Sequence, residues 1–396
     1  MRVCLLCRRY YPSVGGIETS IYQLSRQFAE MGHEVVIVTT TNPPNERRKE
    51  YADIVYANIS FKLLNIVPPL HLDCLEKQMK KRISQLGKLD IIISRDSFLT
   101  CVANRICKGI PVIYIPSMDV KEFAATKTTE KKNLRQQLLK ILERWALSIE
   151  IKNQASALYR SSGVIAFCQG MVRQLKKSYH KFDYTVKVCY PGCTLADPGD
   201  LGDIVNEKPH FLYVGRISEE KNLVMLFEAL TYLSDDLKLT IVGDGSGMAE
   251  LRQMAQKLGS NITVEFAGFQ ADVLPYYINA DFFILPSKYE SFGQVVIESF
   301  TCGVPVIGFC TIEGKTNTAV GELVMDDVTG FVCRQFDAET LAENIKKAIV
   351  VTRHPERKKQ MGQACRKFAQ DACSWHHLAE VCLEIGGKSS DMAQFM

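Results

Sequence analysis

Two glutamates stand eight positions apart in the stretch YESFGQVVIE, Glu290 ahead of a glycine and Glu298 inside an apolar run. The run from Gln294 onward reads as the start of a helix. The acids therefore bracket a strand-to-helix junction made of Ser291, Phe292, Gly293, Gln294 and Val295. The first turn of a helix leaves backbone N–H groups without partners and carries the positive end of the helix dipole, which suits an anion. An acid a turn further in can accept both hydroxyls of a ribose, and an acid in the loop can accept hydroxyls of a sugar-like group beyond the phosphates. The plainer alternative is a loop acid and a partly exposed helix acid.

Cations at a second junction extend the pattern. Arg216 and Lys221 lie five residues apart in VGRISEEKN, directly after an apolar strand-like run. The planar fork of arginine and the point charge of lysine can converge on one diphosphate, although such residues are also common as solvated surface charges. Gly15 and Gly16 follow the first apolar run and open a helical pattern, so their backbone can approach a phosphate closely. Ribose, diphosphate and sugar together describe a nucleotide-sugar. The chain has no Asp-x-Asp pair of the kind that commonly carries a divalent ion, so no metal is expected. Protein cations and helix N-termini would then stabilise charge on a departing diphosphate.

These junctions need a scaffold that ends strands side by side. Short β-rich runs at 2–7, 33–40, 89–94, 110–116 and 163–168 alternate with helical patterns. The segment 196–209 is rich in Pro, Gly and Asp without a period and reads as a linker. After it the alternation restarts, with strands at 210–216, 237–243, 262–268, 281–286 and 304–309. The fold class is α/β, two doubly wound Rossmann-like domains facing a central cleft. The first domain is expected over 1–195, the second over 210–375. A helical segment, 376–396, is expected to pack back on the first.

The 396 residues allow two cores of ordinary size, and 46% hydrophobic with 23% charged residues lies in the soluble globular range. A net charge of +4 is too small to imply nucleic acid. The 14 cysteines are scattered singly apart from Cys4-x-x-Cys7, which lies within the first strand and suits core packing. Reduced, buried thiols point to the cytoplasm. His376 and His377 lack a third ligand at metal-binding spacing.

In order along the chain stand SVGGIE, GRISEEKN, GDGSGMAEL and ESFGQVVIESFTCGVPV. Together these resemble the retaining GT-B glycosyltransferases of the large family-four group over nearly the whole length. The resemblance implies Gly16 at the donor diphosphate, Arg216 and Lys221 on its phosphates, Glu290 at the sugar hydroxyls and Glu298 at the ribose. It also implies retention of anomeric configuration, with a donor phosphate oxygen helping to take the acceptor's proton. No cofactor beyond the nucleotide-diphosphate-sugar co-substrate is expected. Where many members carry a histidine, this chain has Pro116 and Ser117. Ile93-Ser94-Arg95-Asp96 stands at a common HxHD stretch, and Pro191 to Leu195 reads PGCTL. Altered pocket residues in the first domain point to an unusual acceptor or sugar, or to reduced activity.

A catalytically silent nucleotide-sugar-binding or scaffold protein of the same fold is the alternative from another class. Gly243-Asp244-Gly245-Ser246-Gly247 spaces its glycines wrongly for a dinucleotide loop. In residues 130–151, Leu134, Leu138, Ile141, Trp145 and Ile149 share a helix face opposite Lys and Arg. Such a helix can make a peripheral contact with an anionic membrane, whereas packing onto the first domain is the plainer reading.

Overall fold

The computed structural model describes residues 1–10, 15–39, 54–58, 72–125, 134–180, 186–195, 198–199 and 206–393. The chain forms two compact units, Met1–Pro191 with Ser374–Met396, and Gly192–Cys373. Most of the expected linker lies outside the described residues.

The first unit runs β1 (Arg2–Cys7), α1 (Gly16–Glu30), β2 (Glu34–Thr39), β3 (Ile54–Asn58), α2 (Leu72–Gln85), β4 (Ile91–Ser94), α3 (Ser97–Ile106), β5 (Val112–Tyr114), α4 (Val120–Ala125), α5 (Leu134–Arg160), β6 (Gly163–Ala166), α6 (Gln169–Ser178) and β7 (Val186–Val188). Its strands pair in parallel in the order β3-β2-β1-β4-β5-β6-β7. The strands are near-continuous apolar runs because a parallel sheet is covered on both faces. Cys4, Leu6, Val36 and Ile92 pack on one face with Met79 and Ile83 of α2 and Leu99 and Val102 of α3. Burial pushes both the Cys4 and Cys7 thiols up, as expected of core residues. Met79 is likewise buried, whereas Lys80, Lys81 and Arg82 beside it face solvent.

The second unit continues with β8 (His210–Val214), a single 3-10 turn at Glu219–Lys221, α7 (Leu223–Leu230), β9 (Leu237–Val242), α8 (Met248–Ala255), β10 (Ile262–Gly268), α9 (Leu274–Ile278), β11 (Phe282–Leu285), β12 (Tyr289–Glu290), α10 (Gln294–Thr301), β13 (Val306–Phe309), β14 (Asn317–Thr318), α11 (Val320–Leu323), β15 (Gly330–Cys333), α12 (Ala338–Thr352) and α13 (Pro355–Ala372). The main sheet is parallel throughout, ordered β10-β9-β8-β11-β13-β15. Phe211, Tyr213, Phe227, Phe282 and Phe309 fill its core. The chain then returns to the first unit as α14 (Trp375–Ala393), burying Leu378, Ala379, Val381 and Cys382.

Each sheet has a point where successive connections run to opposite sides, β1 beside β4 and β8 beside β11. Open α/β sheets bind ligands outside the carboxyl ends of strands at such points. Gly15 follows β1, Arg216 follows β8 and Glu290 follows β11.

Three details differ from the sequence reading. The second unit begins at Gly192 rather than 210, because Gly192 and Thr194 are hydrogen-bonded to α10. Glu290 is not in a free loop. It belongs to β12, which pairs with β14 as a separate two-stranded parallel sheet. Finally, β3, β7, β12, β14 and β15 were not read from the sequence; β3, β7 and β15 are edge strands, and β12 and β14 are only two residues each.

Candidate active site

The Lys221 ammonium donates to the Glu290 carboxylate, with the two side chains 15% and 18% exposed. Backbone register brings them together. Lys288 N donates to Glu220 O at 2.8 Å, and Asn222 Nδ2 donates to Pro286 O at 3.1 Å. Asn222 adopts φ 55°, a left-handed conformation that asparagine tolerates better than most residues, and it separates the 3-10 turn from α7. From the other side, Asn317 N donates to Lys288 O at 2.7 Å. The turn after β8, the loop after β11 and β14 thus form one braced assembly.

Arg216 behaves differently from Lys221. Its side chain is 81% exposed and lies 3.7 Å from Glu220 Oε1, the long end of an ion pair. The two cations each face an acid of their own. Their loop is braced by glycines: Gly243 has φ 135°, and a Cβ there would overlap the Gly215 carbonyl oxygen, as one at Gly245 would overlap that of Ile217. Ile217 N in turn donates to Asp244 O at 2.9 Å. The GDG stretch therefore acts by letting two loops touch.

At α10, Gly293 is the N-cap residue with φ 88°, and a Cβ there would crowd Glu290 Cγ and Val296 Cγ2 at 3.3 Å. Phe292 is buried, and Ser291 and Val295 are partly exposed. Gln294 Nε2 donates to Gly192 O at 2.7 Å, so this side chain serves as a strut. Val296 N donates to Gly293 O at 2.8 Å, and the N–H groups at the start of a helix, which lack partners one turn back, suit an anion.

Glu298 lies one turn into α10. Its Oε1 accepts from Thr194 Oγ1 at 2.6 Å and its Oε2 from Tyr277 OH at 3.1 Å. Burial pushes its carboxyl pKa up, and the two hydroxyl bonds pull it partly back. Two of the roughly four lone-pair positions are thus taken, leaving one on each oxygen for a diol. No local spacing connects Thr194 or Tyr277 with Glu298, since 104 residues separate the first pair. Asn222 was more readable, as an asparagine before a helix start.

In the first unit Gly16 is the first residue of α1, and a Cβ there would meet nothing within 4 Å. Gly15 is extended, and Glu18 Oε2 folds back to within 2.7 Å of where its Cβ would be. After β4, Asp96 caps α3 by accepting from Leu99 N at 2.9 Å and pairs with Arg8 Nε at 3.0 Å. The loop containing Pro116 and Ser117 is held by Gln154 of α5, whose Nε2 donates to Met118 O at 2.6 Å and whose Oε1 accepts from Val120 N at 2.9 Å. The later half of α5 packs on α3, with Ser97 donating to Glu150. Of the proposed membrane face, Trp145 is 39% exposed, and residues 130–133 lie outside the described residues.

Two family models match end to end. The description Glycosyltransferase Family 4 covers residues 14–197, and Glycosyl transferases group 1 covers residues 202–368. The chain belongs to the family-four, group 1 type glycosyltransferases. This glycosyltransferase is 27% identical over 385 residues to alpha-monoglucosyldiacylglycerol synthase of Streptococcus pneumoniae, covering 89% of this chain and 79% of that one. It is 24% identical over 367 residues to N-acetyl-alpha-D-glucosaminyl L-malate synthase of Bacillus anthracis, covering 90% of each. Among solved structures it resembles sucrose-phosphate synthase from Thermosynechococcus elongatus, with a TM-score of 0.75, 19% identity and 100% of both chains covered. Anabaena HepE in complex with UDP-glucose superposes with a TM-score of 0.68 at 18% identity, again over 100% of both chains. These likenesses establish the two-domain GT-B fold.

Proposed function

We propose that this glycosyltransferase takes its sugar from a nucleotide-diphosphate donor, retains the anomeric configuration and requires neither a metal ion nor a resident cofactor. The observation that carries the reading is the Lys221–Glu290 pair, held where β8 and β11 end, with Glu298 one turn into the adjoining helix. Glu298 would accept the ribose hydroxyls, and the first turn of α10 would face the diphosphate. Glu290 would accept sugar hydroxyls, its charge offset by Lys221. Exposed Arg216 is free to swing from Glu220 to a phosphate, which offers a better-matched bidentate acceptor. Preorganised cations of this kind stabilise negative charge as the diphosphate departs, and a phosphate oxygen would take the acceptor's proton. A neighbour of this fold solved with UDP-glucose supports a nucleotide-sugar donor.

A cytoplasmic setting is part of the same proposal, in keeping with thirteen cysteines whose described side chains are free thiols. Among the described residues no helix is long and apolar enough to cross a membrane. A peripheral contact through the Trp145 region of α5 would be checked by sedimentation with anionic vesicles.

The test is a thermal-shift panel of UDP, GDP, ADP, TDP and CMP sugars with and without EDTA. Stabilisation by one diphosphate sugar, unchanged by EDTA and lost in Glu298→Ala, is the expected result. Silence across the panel would overturn the donor assignment, and sensitivity to EDTA would overturn metal independence.

A further inference from the structure

Arg95 directly follows β4, which lies beside β1 at the point where the sheet of the first unit reverses. It is only 5% exposed. Its Nη1 donates to Ser20 Oγ of α1 at 2.5 Å, and that hydroxyl is itself committed as a donor to Ile17 O at 2.7 Å. The guanidinium carbon lies 4.4 Å from the centroid of the Phe167 ring. Its Nε is buried with no hydrogen-bond partner among the described residues. Among the described residues no carboxylate lies within 4.0 Å of the guanidinium, and Glu18 acts on it only from further away.

Such an arrangement costs free energy as it stands. A buried charge is normally paired, and a neutral hydroxyl and a ring face compensate it only in part. Burial accordingly lowers the Arg95 pKa to about 10. The neighbouring Arg8 shows the contrast, since it reaches both Asp96 at 3.0 Å and Glu150 at 3.5 Å. The chain thus has carboxylates at this strand end and directs none of them to Arg95. An arginine fork left without an acid, at the carboxyl end of a parallel sheet, is matched by a planar or tetrahedral oxyanion.

We propose that Arg95 is an anion-binding residue of the first unit and anchors a carboxylate or phosphate carried by the acceptor. The word acceptor rests on the transferase reading above; the anion site itself does not. It narrows the acceptor to molecules with an oxyanion near the reacting hydroxyl, and it gives the arginine of Ile93-Ser94-Arg95-Asp96 a task that the donor does not require.

The test uses the full chain and simple probes. Binding of inorganic phosphate and of malonate is measured calorimetrically for the wild type, Arg95→Gln, Arg95→Lys, Ser20→Ala and Lys221→Ala. One probe should bind, about tenfold or more weakly in Arg95→Gln, as expected for loss of charge-assisted hydrogen bonds, and equally well in Lys221→Ala. Phosphate or malonate as the better probe tells which oxyanion the site takes. Arg95→Lys keeps the charge without the fork and should fall between, so the proposal stays testable if Arg95→Gln does not fold. Ser20→Ala, which frees the fork's orientation, should also weaken binding. Absence of binding by both probes, binding retained in Arg95→Gln, or binding lost in Lys221→Ala would overturn the proposal, the last by placing the anion at the donor phosphates. The two readings fail separately. Loss of nucleotide-sugar stabilisation leaves the anion measurement intact, and a donor that binds normally to a chain indifferent to phosphate and malonate removes only the role of Arg95.

Discussion

Thr194 Oγ1 donates to Glu298 Oε1 at 2.6 Å, joining the start of the second unit to the helix that carries the site. This hydroxyl fixes one carboxylate oxygen while Tyr277 fixes the other. In Thr194→Val the volume is kept and the bond is lost. Donor affinity should fall about tenfold, the worth of one hydrogen bond to a charged group, and Thr194→Ser should restore it. Equal affinity in the valine variant by calorimetry would remove Thr194 from the site.

The same carboxyl carries a pH signature. Burial raises its pKa in the folded protein above the ordinary value of 4.5. Because protonation blocks acceptance of a diol, donor affinity should decline on acidification with a midpoint above 4.5. Stability has the opposite sign. The contribution of Glu298 is fully present below its unfolded pKa and is lost as pH rises through the folded one. Titrating donor affinity and denaturation midpoints together checks both signs, with Glu298→Gln flattening each curve.

Replacing Lys221 by alanine should lower turnover about a hundredfold or more, by removing charge complementary to the departing diphosphate. It also strands the half-buried Glu290, so stability should drop by about 1–2 kcal/mol, a modest figure because both groups keep some contact with water. Adding Glu290→Gln should recover most of the stability and none of the turnover. Urea denaturation alongside initial rates separates the two effects.

Glycines at the two strand ends should respond in opposite ways. Gly243→Ala forces a Cβ into the Gly215 carbonyl at φ 135° and should destabilise the chain by about 2–4 kcal/mol. Gly16→Ala meets open space at a helix start and should leave the melting temperature unchanged or slightly raised. If Gly16 approaches the donor diphosphate, its alanine variant will be stable and slow. A stable variant with full turnover would give Gly16 no part in binding.

Much of the architecture is legible in the sequence, because a parallel sheet writes itself as apolar runs such as VCLLC, VVIV and FFIL separated by helix-period segments. The residues after those runs were readable for the same reason: Arg216, Lys221 and Glu290 follow strand ends. What could not be read was which partners hold them. The Lys221–Glu290 pair depends on the 3-10 turn after β8 meeting β12, and Glu298 depends on hydroxyls from Thr194 and Tyr277, contacts that have no local period. The glycines of GDGSG were visible, yet their purpose, an interloop contact, arises only when β8 and β9 lie side by side. Arg95 appeared in the sequence merely as a departure from a familiar stretch, since burial without a partner is a property of the folded sheet.

The return of α14 has a consequence for how the protein is made. Gly163 leaves room for Ile385, and a Cβ added at Gly386 would lie 2.5 Å from Ile91 Cδ1, so the helix packs directly on the sheet. The sheet that is translated first therefore lacks one of its covering helices until residues beyond Cys373 have emerged from the ribosome. Gly192–Cys373 is contiguous and can close as soon as it is synthesised. The part begun first is finished last, so β4 and β6 stay partly uncovered on the nascent chain, and that interval is when a chaperone would have most to shield.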